Sequence, residues 1–228
     1  TDRLLEQMKQ DLHLAALPRH IECFDNSNTQ GTDPVSACVV FKDGKPSRKD
    51  YRHFNIRTVE GPDDFVSMEE ALERRYSRLL TQGDPLPQLV VVDGGKGQLH
   101  AAVNVFDRLG LRGRVALVGI AKRLEELYFP DDPVPLHIDK RSSTLRTIQL
   151  MRDEAHRFGI THHRARRGKR IVRTALEDIP GIGPETAKKL LVRFGSMKGI
   201  AEAPYEEVVR EVGEKKAALV RAGEETRD

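Results

Sequence analysis

Residues 89–120 read LVVVDGGKGQLHAAVNVFDRLGLRGRVALVGI, and the order of patterns in this stretch decides the fold. An uninterrupted apolar run stops at Asp93, the turn GGKG follows, a helix is predicted from Gln98 to Leu109, and a second apolar run, VALVGI, comes after it. A helix of that length between two such runs is what a right-handed parallel crossover requires. Upstream lie three shorter strand patterns: HIECF ending at Asp25, VSACVVF closed by the turn Asp43-Gly44, and YRHFNI. They are spaced as consecutive hairpins. At Gly61-Pro62 they give way to a helix with apolar positions Phe65, Met68, Leu72, Tyr76 and Leu79, ended by Gly83-Asp84-Pro85.

Residues 1–17 predict an amphipathic lead-in helix (Leu4, Leu5, Met8, Leu12, Leu14) stopped by Pro18. Downstream of residue 120 an irregular stretch holds Pro130, Pro133 and Pro135, and a long helix begins near Ser142 or Ser143. The order strand, strand, strand, helix, strand, helix, strand, helix on a mixed five-stranded sheet is that of the ribonuclease H-like α/β fold. The expected domains are therefore a lead-in at 1–17, an α/β domain at 18–168 and a small all-α domain at 169–228.

Composition excludes several classes. The 228 residues are long enough for a core without staples. No run approaches the ~18 apolar residues of a membrane helix, and the N-terminus lacks the apolar segment of a secretory signal. A soluble cytoplasmic monomer with no membrane partner is expected. The lack of an initial Met suggests a fragment of something longer. Cys23 and Cys38 sit in apolar strands without metal-type spacing, as buried thiols do. Net charge is only +3, but between Ala155 and Ala175 the chain carries Arg157, Arg164, Arg166, Arg167, Lys169, Arg170 and Arg173 with no acid. Such a block is either a solvated helix end and linker or a track for phosphates.

In a sheet of this order the first and fourth strands are neighbours, so Asp25 and Asp93 converge. Two carboxylates at one sheet edge repel unless a cation lies between them. Oxygen ligands make Mg²⁺ or Mn²⁺ the natural occupant. Against this stands the plain role of Asp in turns after strands. A third ligand is expected from the last helix, where RDEAH offers Asp153, Glu154 and His156. Ile148, Met151, Ala155 and Phe158 form its core stripe, and Asp153 and His156 share an adjacent face. Spacing alone leaves the choice open. The GGKG turn with Lys96 has the makings of a phosphate cradle, but the Walker A spacing is absent, which disfavours a nucleotide hydrolase.

The C-terminal stretch LEDIPGIGPETAKKLLVRFGSMKGI is a helix-hairpin-helix signature. Pro180-Gly181-Ile182-Gly183 turns the chain, Pro184 opens the next helix, and Ala187, Leu190, Leu191 and Phe194 pack it back. Glycines at 181 and 183 expose amides and a helix N-terminus to a DNA phosphate, and Lys188 and Lys189 add attraction, so binding is sequence-independent. A weaker second copy places its hairpin at Val212-Gly213-Glu214.

Taken together, IECFDNSNTQG, SACVVF, VVDGGKGQL, RDEAHRFGITHHR and LEDIPGIGP resemble the C-terminal half of the UvrC family, excinuclease subunits of bacterial nucleotide excision repair. The resemblance runs from about residue 14 to the end. It implies a ribonuclease H-like endonuclease domain joined to a paired helix-hairpin-helix domain, cutting damaged double-stranded DNA 5′ to the lesion within the UvrB pre-incision complex and binding double-strand/single-strand junctions. The family's GIY-YIG nuclease and its UvrB-docking segment have no counterpart in this sequence, so no 3′ incision is expected of it. Carried over by position, the family's triad falls on Asp25, Asp93 and His156, as catalytic residues and ligands of Mg²⁺ or Mn²⁺. Lys96, Gly181, Ile182, Gly183, Lys188, Lys189 and Gly213 are the expected DNA contacts. Asp64 is pointed to as sensitive, with a helix N-cap as its plain alternative. Asn26 departs from the family's apolar residue after the first aspartate. Rival expectations are a catalytically inactive junction-binding module and, from the fold alone, an RNA-cleaving enzyme.

Overall fold

The computed structural model describes residues 1–27, 34–57, 63–123 and 126–225, so the loop after the first strand and the Gly61-Pro62 turn lie outside the described residues. Two compact units result, 1–162 and 163–228. The first contains α1 (Asp2–Asp11), β1 (His20–Ser27), β2 (Val35–Lys42), β3 (Lys45–Pro46), β4 (Arg52–Asn55), α2 (Asp64–Gln82), β5 (Leu89–Asp93), α3 (Lys96–Leu109), β6 (Ala116–Ile120), β7 (Glu126–Tyr128), β8 (Leu136–His137) and the first part of α4 (Ser143–Glu177). The sheet order is β3-β2-β1-β5-β6-β7-β8, with β4 also on β2. β1 runs antiparallel to β2 and parallel to β5, and β5 parallel to β6. This is the ribonuclease H-like mixed sheet.

The five expected strands are present as β1, β2, β4, β5 and β6. The sheet has eight among the described residues, because β3, β7 and β8 add short edge pairings. β7 and β8 lie in and beside the Pro-rich stretch read as irregular; at three and two residues they are too short to show an alternation. The N-terminal helix also ends six residues before the expected 17, at Asp11. His13 takes a positive φ of 54° and the Leu14 N–H reaches back to the Lys9 carbonyl at 2.9 Å. That is a Schellman-type closure without the usual glycine, and it turns buried Leu12 and half-buried Leu14 onto the core.

β1 is covered on both faces. Alternation sends Glu22 and Phe24 to α2, where Phe24 meets Tyr76 with ring centroids 6.0 Å apart. Cys23 and Asp25 face α4, whose Ile148, Met151 and Ala155 are buried as their spacing predicts. Both cysteines are free and buried. Phe65 departs from the expected stripe of α2. It is 54% exposed, and its ring lies where a Cβ on Gly97 would sit, 2.4 Å from Cε1. No helix among the described residues is long and apolar enough to cross a membrane.

The second unit holds the rest of α4 with α5 (Pro184–Phe194), α6 (Met197–Glu202), α7 (Tyr205–Val212) and α8 (Glu214–Glu225). Leu176, Ile179, Ile182, Ala187, Leu190, Ile200, Val208, Ala217 and Val220 make its core. The basic block, read either as a helix end and linker or as a track for phosphates, is helical throughout, because α4 continues unbroken to Glu177.

Candidate active site

Parallel pairing of β1 with β5 sets the site. Phe24 lies opposite Val92 in the register, so the next residues, Asp25 two places before the end of β1 and Asp93 at the end of β5, come side by side. Asp25 is 8% exposed. Its carboxyl is pushed up to about 6 by burial and by the charge of Asp93, against the pull of His156 and Arg152. Burial raises Asp93 as well, opposed first by Arg152. Each aspartate is thus held in a place where its own charge is costly.

α4 brings two side chains over them, one turn apart. Arg152 Nε lies 3.5 Å from Asp93 Oδ2, and His156 Nδ1 lies 3.3 Å from Asp25 Oδ2. The (i, i+4) spacing puts both on one helix face. Among the three acidic or imidazole candidates of RDEAH, His156 reaches an aspartate directly. Glu154 is engaged elsewhere, accepting from the Tyr51 hydroxyl at 3.0 Å and from Arg157 at 2.7 and 2.8 Å. Asp153 is exposed. Arg152 was not singled out by the sequence; the signal was its four-residue offset from His156.

A hard divalent cation suits these donors in kind. Two carboxylates raised by burial and an imidazole 65% exposed offer oxygen and nitrogen ligands. On the α2 side of β1, where Asn26 Nδ2 donates to the Asp64 carbonyl, Asn26 Oδ1 has no hydrogen-bond partner among the described residues, and neither has Gln98 Oε1 on α3. Buried acceptors of that sort are ordinarily satisfied by water or an ion. As the side chains stand, no three His, Cys, Asp or Glu of the described residues close on a common point. Arg152 supplies the positive charge at Asp93.

The remaining expectations fall as follows. In the GGKG turn the Gly94 and Gly95 amides both donate to the Ile120 carbonyl, at 3.0 and 2.8 Å, so these two are not offered to a phosphate. Lys96 is exposed, with Nζ 5.1 Å from the Tyr128 ring centroid. The cap of α2 is Asp63, whose carboxylate accepts from the Phe65 and Val66 amides at 3.2 Å. Asp64 is the first helical residue, and its carbonyl accepts from Asn26 Nδ2 at 2.8 Å, which is how the polar residue after Asp25 is accommodated. In the second unit Gly181 has φ 93° and a Cβ there would meet Leu219 Cδ1 at 2.7 Å, so only glycine fits. Ile182 is 4% exposed and its amide donates to the Ile179 carbonyl at 3.0 Å. Its side chain therefore plugs the core, and the solvent-facing surface of the hairpin is made by Gly181 and Gly183, with Lys188 and Lys189 exposed beyond them. Gly213 turns the second hairpin with φ 89°, also exposed.

The strand order and the two terminal hairpins define a ribonuclease H-like domain followed by a helix-hairpin-helix domain. The model of the UvrC RNAse H endonuclease domain matches residues 9–160, and that of the SAM-like helix-hairpin-helix tandem matches 174–223. UvrABC system protein C of Christiangramia forsetii is 60% identical over 219 residues, covering 96% of this chain and 37% of that protein. Its counterpart in Porphyromonas gingivalis is 55% identical over 220 residues, again 96% and 37%. The chain belongs to the UvrC family and spans 37% of the length of these relatives. Among solved structures human ENDOV aligns over 71% of this chain and 98% of its own, at 12% identity and a TM-score of 0.38.

Proposed function

We propose that this chain is the part of a nucleotide excision repair nuclease that hydrolyses a phosphodiester bond of damaged DNA 5′ to the lesion, in a reaction dependent on Mg²⁺ or Mn²⁺. The observation that carries the reading is the side-by-side placement of Asp25 and Asp93 with His156 against Asp25. Asp25, Asp93 and His156 would hold the cation. That charge would polarise the phosphoryl oxygen and acidify the attacking water. Arg152 orients Asp93 and keeps the pair from being neutralised by protons. The hairpin, through exposed Gly181 and Gly183 held by buried Ile182, with Lys188, Lys189 and the second hairpin at Gly213, grips the phosphate backbone without reading bases, and Lys96 adds a cation near the site. In the whole protein the substrate would be double-strand/single-strand junctions presented by UvrB in the bacterial cytoplasm, with this part monomeric.

The test is incision of a bubble-containing duplex with Mg²⁺ or Mn²⁺ by the chain and by Asp25→Ala, Asp93→Ala and His156→Ala. Cutting at the level of the unaltered chain by any variant removes that residue from the site. One observation favours a second reading, a DNA-binding module without catalysis: Arg152 already stands against Asp93, and no three-donor cluster closes among the described residues. It predicts salt-dependent binding of the same duplex with no metal-dependent product.

A further inference from the structure

Between Glu154 and Glu177, α4 carries six arginines and one lysine and no acid. Arg157 pairs with Glu154 and Arg173 with Glu177 at the two ends. Arg164, Arg167 and Lys169 are exposed and have no ion-pair partner among the described residues. From 164 to 171 no described side chain of the helix is buried, and Gly168 falls in its middle. Like charges three and four residues apart and an interior glycine each weaken a helix. Neither packing nor local propensity accounts for this composition; an anion along the helix does.

The chemistry of the anion is narrowed by the residue types. Ile171 is the one large apolar side chain exposed in the stretch, so the aromatic and leucine face of a membrane-surface helix is missing. Arginine outnumbers lysine six to one, and guanidinium groups fit phosphate oxygens two at a time. The same helix leads directly into the hairpin at 180–183. At about 1.5 Å per residue, Arg167 lies roughly 15 Å before Glu177, too far to share the phosphate held by the hairpin. We infer that the basic stretch Arg164–Arg173 of α4 is a second, sequence-independent track for the backbone of duplex DNA. The inference rests on the DNA-binding part of the proposed function and is independent of its catalytic part.

The experiment measures binding of an unmodified DNA duplex by fluorescence anisotropy from 50 to 200 mM KCl, without divalent cations. It compares the 228-residue chain with an Arg164→Gln, Arg167→Gln, Lys169→Gln triple variant. Loss of three phosphate contacts lowers the slope of log K against log salt by about 2.7, so the affinity lost across that range shrinks by about 40-fold. The charge-preserving variant Arg164→Lys, Arg167→Lys, Lys169→Arg keeps the slope. A slope unchanged by the triple variant overturns the track, as does a change seen on duplex RNA but not on DNA. Should the triple variant unfold, the three single variants carry the test, each lowering the slope by about 0.9. With no divalent cation present, an inactive nuclease leaves this result untouched, whereas loss of all DNA binding by the unaltered chain would strike the proposed function itself.

Discussion

Two carboxylates three residues apart on β1, Glu22 and Asp25, meet opposite fates. Glu22 is fully buried, yet it is met by Arg75 through two contacts of 2.6 Å, by the Tyr76 hydroxyl at 2.8 Å and by His20 Nε2 at 2.9 Å. Burial alone would raise its pKa; the hydrogen bonds from Arg75 and His20 bring it down to about 2. Asp25, almost as buried, has a second carboxylate beside it and one imidazole contact, and is pushed up to about 6. The side of the strand facing α2 satisfies its charge from within the protein and is structural. The side facing α4 leaves its charge wanting, the condition under which a ligand is bound.

The comparison breaks first in activity. Asp25→Asn or Asp93→Asn should lower incision by on the order of 10³-fold or more, because several kcal/mol of charge stabilisation is lost. Glu22→Gln should leave the rate per folded molecule within a few-fold. In stability the order reverses. Arg75→Ala strands a buried carboxylate and should cost about 3–5 kcal/mol in urea unfolding, whereas Asp25→Asn, measured with chelator, should not destabilise.

Acidity sharpens the contrast. The Asp25 carboxyl binds its proton more tightly folded than unfolded, so without a cation stability should fall as pH rises from its ordinary 3.8 through about 6. Glu22 has the opposite sign: its stabilisation is present above 4.5 and is lost as pH falls towards 2. Melting temperatures from pH 3 to 8 in chelator should show the first trend vanish in Asp25→Asn. Calorimetric titration with Mn²⁺ should weaken below about pH 6, as Asp25 takes up its proton. The smallest effect belongs to Arg152→Ala. Its contact with Asp93 is 3.5 Å long and partly solvated, so unfolding should shift by less than about 1 kcal/mol, while the Mn²⁺ titration moves to higher pH.

The order of the elements, the core stripe of α4 and the first hairpin were legible in the sequence, because each is written in local periodicity and turn chemistry; the meeting of Asp25 with Asp93 followed from the fold that this order matched. The Glu22 cluster was not, since Arg75 and Tyr76 lie 53 and 54 residues away on another element. Nor was the use of the Gly94 and Gly95 amides by Ile120, which stands on the neighbouring strand. Arg152 belongs to the same group: its offset from His156 acquires meaning only when α4 turns that face to the sheet edge.

By itself, the sequence determined the elements, their order and the residue types available for chemistry, for periodicity and turn preference act within a few residues. Tertiary structure alone decided which charges were paired and which were left needing a partner. The free energy of a buried charge depends on what the rest of the chain places within a few ångströms of it.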